Sequence, residues 1–209
     1  MTDPQPQRHR KSMAERQAEK GTIDDPEVVL NAAARFLEVR PRSIAEVRRQ
    51  LNHAGYRPEL VEGAITRLTV LGVLDDAAFA AQWVESRDRA HPRGEHALII
   101  ELRQKGIDAA IITATLKARR EAATRWEDAP ASDSPAPVDE AVTDPDMVAA
   151  RKLLERNARA LVREPVPRLR RQKAYALLAR NGFDPDVCRE VSTAFVRETI
   201  AAAEAAQRE

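Results

Sequence analysis

The sequence predicts an all-α protein assembled from tandem three-helix repeats of helix-turn-helix type. Apolar residues recur at steps of three and four from Asp25 onward, as they do along one face of an amphipathic helix. The same short turn around a glycine then returns three times along the chain. Aromatic residues make up only 4% of the chain, so the apolar surface comes mostly from Ala, Leu, Val and Ile, which suits several small helix-packed cores.

The first repeat is assigned to residues 25–73. It follows a polar segment without periodicity, residues 1–24, which is expected to be a disordered tail. Apolar stripes divide the repeat into three predicted helices, at 26–39, 43–53 and 58–71. One such unit buries little apolar surface alone, so neighbouring repeats are expected to stack.

A glycine turn closes the second helix of each repeat and sets the register between repeats. Glycine adopts the left-handed backbone conformation at no steric cost, and the apolar residue after it folds back onto the last helical turn. A leucine precedes each glycine by four residues. The three turns are Ala54-Gly55-Tyr56, Lys105-Gly106-Ile107 and Asn181-Gly182-Phe183.

The second repeat is assigned to residues 74–118 and the third to residues 144–198. Between them, residues 119–143 are acidic and rich in Pro, Ser and Ala, a composition that cannot bury much apolar area and is expected to form a linker. Residues 199–209 are expected to be a C-terminal tail. The predicted helices of these two repeats are 76–89, 94–104, 109–118, 145–162, 167–181 and 185–197.

Sequence motifs for catalysis, nucleotide binding and metal binding are missing, so neither enzyme activity nor a cofactor or metal is expected. Cys188 falls on the apolar stripe of a third helix, where a small buried residue is the expectation. The acid pairs Asp24-Asp25 and Asp75-Asp76 precede helices and are interpreted as N-terminal caps. No apolar run is long enough for a membrane span or a signal peptide, so we expect a cytoplasmic protein without a membrane or small-molecule partner.

Charge is distributed unevenly, although the net charge is only +1. Residues 151–180 contain ten basic and two acidic residues, whereas residues 121–146 contain eight acidic residues and one arginine. A basic helical face favours a phosphate group or an acidic protein surface as its partner. In the second helix of the third repeat, apolar residues such as Leu169 are expected to face the core. The basic residues then expected to face outward together are Arg168, Arg170, Arg171 and Lys173.

A run in the second repeat, residues 71–87, combines an aspartate pair with two aromatic residues four positions apart. It reads Leu-Gly-Val-Leu-Asp-Asp-Ala-Ala-Phe-Ala-Ala-Gln-Trp-Val-Glu-Ser-Arg, and it is followed by Gly94 and by Glu-Leu-Arg-Gln-Lys-Gly-Ile at 101–107. Further segments of the same pattern are Arg42-Ser43, Glu46-Val47, Leu51 through Gly55, Lys173, Leu177-Leu178 and Gly182-Phe183. From about Asp25 to Val196 the chain resembles the RecX family, regulators of the bacterial RecA recombinase.

The resemblance implies repeats that form an elongated, curved array lying in the helical groove of a RecA filament on single-stranded DNA. There it implies a mostly inhibitory regulator of RecA, acting on recombination, DNA repair and the SOS response, without catalytic residues or a cofactor. Phe79 and Trp83 are expected to pack between repeats rather than contact a ligand. The candidate residues for contact with the RecA filament or with phosphate are Arg168, Arg170, Arg171, Lys173, Arg42, Arg48, Arg49, Arg93, Arg103 and Lys105.

Direct nucleic-acid binding, either non-specific or of helix-turn-helix type, is the alternative function. A protein that reads duplex DNA concentrates its base-contacting residues on one recognition helix. Here the arginines of the third repeat lie mainly on its first two helices, and the third helix, 185–197, is nearly neutral. This distribution weakens sequence-specific reading but not non-specific contact with single- or double-stranded DNA.

Overall fold

A computed structural model of the protein describes residues 12–125 and 144–206, which form α-helices and contain no β-strand. The all-α fold class is therefore confirmed. None of the helices in these two ranges is long and apolar enough to cross a membrane. The helices are α1 (Met13–Gly21), α2 (Pro26–Glu38), α3 (Ile44–Ala54), α4 (Pro58–Val70), α5 (Asp76–Ala90), α6 (Glu95–Gln104), α7 (Ala109–Arg125), α8 (Pro145–Arg156), α9 (Ala158–Val162), α10 (Pro167–Arg180) and α11 (Pro185–Ala206).

The helices group into two compact units, Met1–Phe79 (unit 1) and Ala80–Glu209 (unit 2), with the division inside α5. In unit 1, α2, α3 and α4 pack around a core that includes Val47, Leu51 and Ile65. In unit 2, a second core contains Leu154, Leu178 and side chains of α11. Burying such aliphatic side chains contributes roughly 1.5–3 kcal/mol each, which is the main stabilisation available to repeats with few aromatic residues.

Most helix starts follow from local sequence signals. Asp25 and Asp144 are N-caps whose carboxylates accept a backbone N–H from the first turn, and each is followed by a proline at the first helical position. Ser43 and Glu46 form a capping box at the start of α3. The predicted starts of these helices therefore agree with the structure to within one residue.

The three glycine turns have the predicted left-handed conformation. Gly55, Gly106 and Gly182 have φ angles of 97°, 78° and 78°. After each glycine, the backbone amide of the apolar residue donates to the carbonyl of the leucine that precedes the glycine by four positions, at 3.1–3.4 Å. These leucines and the apolar residues after the glycines are all buried. The turns therefore end one helix and anchor the next residue in the core.

The prediction of a disordered tail at residues 1–24 is wrong for its second half, which contains α1. A capping box between Ser12 and Glu15 begins this helix, and Gln17 Nε2 donates to the His53 carbonyl at 2.7 Å. Helix α1 contributes no buried residue, so its sequence shows no apolar stripe. Residues 1–11 lie outside the described ranges.

Two further boundaries differ from the predictions. The predicted linker, 119–143, begins inside α7, which continues to Arg125; residues 126–143 lie outside the described ranges. Likewise, α11 continues through most of the predicted tail, 199–209, as far as Ala206. The extension of α11 is alanine-rich, and alanine has the highest helix propensity.

The predicted helix at 145–162 is interrupted near Asn157, giving α8 and α9. The Asn157 side chain donates to the Leu153 carbonyl at 2.8 Å, and competition of this kind with the backbone makes asparagine unfavourable inside helices. The interruption leaves both pieces in contact with the core of unit 2 through Leu154 and Leu161.

Candidate functional site

The exposed basic residues of the third repeat lie along a groove between α10 and α11. Arg168 and Arg171 line it from α10, and Arg189 lines it from α11. The groove has a volume of about 460 Å³ and no carboxylate in its lining. We call it the arginine groove; its other lining residues are Gln172, Tyr175, Ser192 and Thr193.

The charges of the arginine groove are largely uncompensated. Within residues 12–125 and 144–206, the side chains of Arg168 and Arg171 have no hydrogen-bonded or ion-paired partner, and both residues are exposed. Arg189 contacts the exposed Asp186 at 2.7 Å, a contact between surface groups that contributes little. Repulsion among three guanidinium groups therefore favours an anionic partner at this groove.

The other two basic residues predicted on this face are engaged by the protein itself. The prediction that Arg170 faces solvent is wrong: it is 8% exposed. Its Nε donates to the Glu164 carbonyl at 3.0 Å and its Nη1 to the Thr199 hydroxyl at 2.9 Å. Lys173 forms a 2.5 Å ion pair with Glu164, which lowers the pKa of that carboxyl.

Leu169, expected in the core, is 44% exposed. The buried stripe of α10 instead runs at steps of four from Arg170 through Ala174 to Leu178. Arg170 takes a core position on this stripe because its long aliphatic stem can be buried while its guanidinium reaches two oxygen acceptors.

An ion-pair cluster around the buried side chain of Arg119 joins three helices of unit 2. Arg119 on α7 is 6% exposed and contacts both oxygens of Asp88 on α5, at 2.8 and 2.9 Å. Its Nη1 contacts Asp146 on α8 at 2.6 Å. Asp146 also accepts the backbone amide of Glu95 at 2.9 Å and so caps the start of α6. We call Arg119, Asp88 and Asp146 the ion-pair cluster.

Burial and pairing act in opposite directions on the charges of the ion-pair cluster. Burial alone would lower the pKa of Arg119, but the two carboxylates outweigh it and raise that pKa, so the guanidinium stays charged. Burial also raises the pKa of Asp146, against the favourable effect of the Glu95 amide and of Arg119. The Glu95 amide and the Arg119 guanidinium therefore both offset part of the cost of burying the Asp146 carboxylate.

Two basic residues of α8 are bound to the C-terminal end of α5. Lys152 donates to the Asp88 carbonyl at 2.8 Å. Arg156 donates to the carbonyls of Ala90 and Arg89, the latter at 2.9 Å. Cations are favourable here because the last carbonyls of a helix lack partners and carry partial negative charge. These two residues therefore hold the second and third repeats together rather than face a partner.

The candidate residues of the second repeat are divided between a polar cluster and the surface. Trp83 Nε1 and Arg87 Nε donate to the same Glu101 oxygen at 2.8 and 2.7 Å. Lys105 lies 4.8 Å from the centre of the Trp83 ring, and Arg93 lies 3.5 Å from Glu101. Trp83 is half-buried with its ring in contact with cations, whereas Phe79 is buried. Arg93 and Lys105 are half-buried, whereas Arg103 is exposed.

The candidate residues of the first repeat show the same division. Arg48 forms a bidentate ion pair with Glu62 at 2.6 and 2.8 Å, and this contact lowers the pKa of Glu62. The Arg42 guanidinium stacks 4.2 Å from the centre of the Phe36 ring. Arg49 is exposed. Of the candidates in the third repeat, the structure brings Arg168 and Arg171 together, and it adds Arg189 to them.

The structure also assigns roles to residues considered for chemistry. Cys188 is completely buried, and burial raises the pKa of its thiol, which makes it a poor nucleophile. Asp25 and Asp75 cap their own helices, as predicted. Asp76 instead accepts the Ile44 amide at 2.9 Å and so caps α3. Within the described residues, no group of three or more His, Cys, Asp or Glu side chains could hold a metal ion.

Only Arg168 and Arg171 of the arginine groove are predicted from the sequence, and Arg189 is the charged lining residue that is not. The charges of the third helix, 185–197, nearly cancel over its length, so its net charge does not single out Arg189. This arginine lies beside the buried Val187, Cys188 and Val191. The period of α11 would have placed Arg189 at the edge of its buried face. Which side of α10 meets that edge depends on helix packing, for which the sequence holds no comparable local signal.

The chain matches two three-helix domains of one family. Residues 30–68 match the first three-helix domain of RecX, and residues 75–116 match the second three-helix domain of RecX. Regulatory protein RecX of Mycolicibacterium smegmatis is 42% identical over 86 residues, which are 41% of this chain and 46% of the relative. Regulatory protein RecX of Prosthecochloris aestuarii is 38% identical over 93 residues, 44% of this chain and 62% of the relative. The matched segment thus spans less than two thirds of either relative.

Solved structures share the fold over a longer stretch. A crystal structure of regulatory protein RecX superposes with a TM-score of 0.59 at 21% identity, covering 87% of this chain and 73% of the other. The crystal structure of RecX from Lactobacillus salivarius gives a TM-score of 0.62 at 20% identity, covering 82% of this chain and 97% of the other. At these identities the similarity concerns the fold. The chain is thus similar to the RecX regulatory proteins in sequence over residues 30–68 and 75–116, and in fold over most of its length.

Proposed function

We propose that this protein is a cytoplasmic regulator of the RecA recombinase, mostly inhibitory, that lies in the groove of the RecA filament on single-stranded DNA. Through that contact it would modulate recombination, DNA repair and the SOS response. The observation that carries the proposal is the match of two consecutive three-helix domains, residues 30–68 and 75–116, to the RecX family.

The arginine groove supplies the contact with the filament in this proposal. Arg168, Arg171 and Arg189 face an open groove without carboxylates, and a nucleoprotein filament offers both DNA phosphates and acidic protein side chains. Guanidinium groups bind either kind of anion through two parallel hydrogen bonds. Such contacts between exposed groups weaken as the salt concentration rises.

The test compares two triple variants that lose the same charge. The groove variant is Arg168→Ala/Arg171→Ala/Arg189→Ala. The control is Arg151→Ala/Arg159→Ala/Arg180→Ala, which replaces exposed arginines of the same repeat that do not line the groove. The measurements are binding to RecA filaments by light scattering and inhibition of their ATP hydrolysis, each over a series of salt concentrations.

We expect the groove variant to bind filaments at least about tenfold more weakly at physiological salt, because three contacts with phosphate are lost. The slope of the logarithm of affinity against the logarithm of salt concentration should also become shallower by about 2. The control variant should stay close to the parent. Equal losses in the two variants would show that net charge matters rather than the groove. A parent protein that does not bind RecA filaments would refute the function itself.

Direct binding to nucleic acid is the second candidate, and the carboxylate-free lining of the groove favours it. The same measurements on bare single-stranded DNA separate the two functions. Binding to bare DNA as tight as to the filament would make the protein a non-specific DNA-binding protein. A clear preference for the filament would support regulation through RecA.

A further inference from the structure

Tyr175 is the aromatic member of the arginine groove. Arg168, Arg171 and Tyr175 are spaced by three and four residues on α10, so the two arginines and the ring share one face of the helix. The Tyr175 side chain is half-buried; it lines the groove and packs in part against the core of unit 2. The core therefore holds the ring in place while part of it remains accessible from the groove.

Tyr175 differs from the other aromatic residues in having no internal partner. Within residues 12–125 and 144–206, its side chain has no hydrogen-bonded partner and no cation over its ring. The other aromatic side chains in these ranges are either buried or lie 4.2–5.0 Å from a cation. The buried ones are Phe79, Phe183 and Phe195, and those next to a cation are Phe36, Tyr56 and Trp83. Tyr175 is therefore the aromatic side chain of the described residues that is available to a ligand.

The polar lining around Tyr175 offers hydrogen-bond donors and no carboxylate. The hydroxyls of Ser192 and Thr193 donate to the Arg189 carbonyl at 3.3 and 2.7 Å, so their protons are used within α11. The Gln172 side chain is exposed and has no partner in the described parts of the chain. Guanidinium groups bind carboxylates and phosphates alike and do not choose between them. An aromatic ring beside them favours a nucleic acid strand, which carries a flat base next to every phosphate.

We propose that Tyr175 stacks on an unpaired base of a nucleic acid strand whose phosphates contact Arg168, Arg171 and Arg189, which makes the arginine groove selective for single strands. This inference rests on the proposed contact of the groove with the filament, and it assigns that contact to the DNA strand rather than to the recombinase. In a duplex both faces of a base are covered by its neighbours in the stack, so Tyr175 has no face to bind.

The test uses two variants of Tyr175 that keep an apolar contact with the core. Tyr175→Phe retains the ring, whereas Tyr175→Leu replaces it with an aliphatic side chain. Binding is measured by fluorescence anisotropy with a labelled oligothymidylate of about 20 nucleotides. Tyr175→Leu should bind it about tenfold more weakly than the parent, because one stacked base is lost, and Tyr175→Phe within about twofold of the parent. Equal affinities of all three proteins, or equal losses in the two variants, would refute stacking on the ring.

Three controls separate stacking from a role of Tyr175 in the fold. An abasic deoxyribose-phosphate oligomer of the same length offers phosphates without bases, so the parent and Tyr175→Leu should bind it equally. A duplex of the same sequence should bind the parent more weakly than the single strand and should not distinguish the parent from Tyr175→Leu. The salt dependence of oligothymidylate binding should also be unchanged in Tyr175→Leu, whereas Arg168→Ala/Arg171→Ala should make it shallower. A loss of affinity for the abasic oligomer in Tyr175→Leu would overturn the inference.

Failure of this inference and failure of the proposed function give different results. A parent protein that binds RecA filaments, with Tyr175→Leu binding both filaments and oligothymidylate equally well, would refute the stacking alone. A parent protein that binds oligothymidylate through Tyr175 but binds no filament would refute the proposed function and leave the stacking intact.

Discussion

Two regions of unit 2, the ion-pair cluster with its neighbouring cations and the arginine groove, are both rich in basic residues. In the first, Arg119 is almost inaccessible between Asp88 and Asp146, and its neighbours on α8 bind helix carbonyls. In the second, Arg168 and Arg171 are exposed and lack a partner in the described parts of the chain. A basic segment can therefore contain cations that stabilise the fold and cations that are available for binding. The two kinds are distinguished by whether the side chain contacts an acceptor within the protein.

The largest effect on stability should come from removing the buried cation. Arg119→Leu leaves Asp146 buried without its counter-charge, which should lower the free energy of unfolding by about 3–5 kcal/mol. The matched control is the neighbouring Arg120, about half exposed in its 2.9 Å pair with Glu95, where alanine should cost at most about 1 kcal/mol. Urea unfolding of both variants checks the comparison. Similar losses would mean that the ion-pair cluster is no more than a surface contact.

The next effect separates two consecutive arginines of α10. Arg170→Ala removes two hydrogen bonds and the packing of a buried stem, and should cost about 1–3 kcal/mol. Arg171→Ala removes an exposed side chain and should change stability by at most about 0.5 kcal/mol. Thermal unfolding followed by circular dichroism measures both. A stable Arg170→Ala variant would return Arg170 to the candidate binding face.

A smaller loss is expected at the C-terminal end of α5. Lys152→Ala/Arg156→Ala removes charged donors from three helix carbonyls and should destabilise the protein by about 1–2 kcal/mol. Arg151→Ala is the control, because Arg151 is exposed on the same helix. Hydrogen exchange of the α5 amides, expected to accelerate in the double variant alone, locates the effect. Unchanged exchange would place these two cations with the binding residues.

The smallest effect concerns a carboxylate cap that has no arginine comparable to Arg119. Burial raises the pKa of Asp76 above its ordinary value of 3.8, despite the favourable Ile44 amide. A raised pKa in the folded state means that the stability contributed by Asp76 is complete below the unfolded-state pKa and is lost as the pH rises through the folded-state pKa. Asp76→Asn keeps an oxygen acceptor without the charge.

The Asp76→Asn variant should therefore be slightly more stable than the parent at neutral pH, with the difference disappearing as the pH falls below the ordinary aspartate range. Denaturant unfolding across this pH range measures it. Asp76→Ala is the control: it leaves the α3 amide without its cap and should cost about 1 kcal/mol. A variant with asparagine that is less stable at neutral pH than at acidic pH, relative to the parent, would contradict the assignment.

Helix positions could be predicted because their signals are local. Caps such as Asp25 and Ser43, prolines at helix starts and the three glycine turns each fix a boundary within a few residues. The sequence pattern does not reveal the N-terminal helix α1, because a capping box and polar tertiary contacts such as that of Gln17 with the His53 carbonyl hold it, rather than an apolar stripe. Periodicity detects helices that bury a face, and α1 buries none.

Candidate binding residues were harder to predict because charge patterns do not show which cations have partners. Arg170 and Lys173 have the same sequence character as Arg168 and Arg171, yet contacts with Glu164 and Thr199 engage them. One acceptor for Arg119, the Asp146 carboxylate, lies 27 residues away, beyond the segment assigned to a linker. Such tertiary partners follow from helix packing, which no short window of sequence encodes.

The contact between Arg119 and Asp146 also closes the intervening chain into a loop. At its two ends, the Arg119 Nη1 and Asp146 Oδ1 atoms are 2.6 Å apart. Because closure entropy grows only with the logarithm of ring size, doubling the number of residues would cost about 0.6 kcal/mol. A change in the length of this stretch therefore alters the closure entropy only slightly.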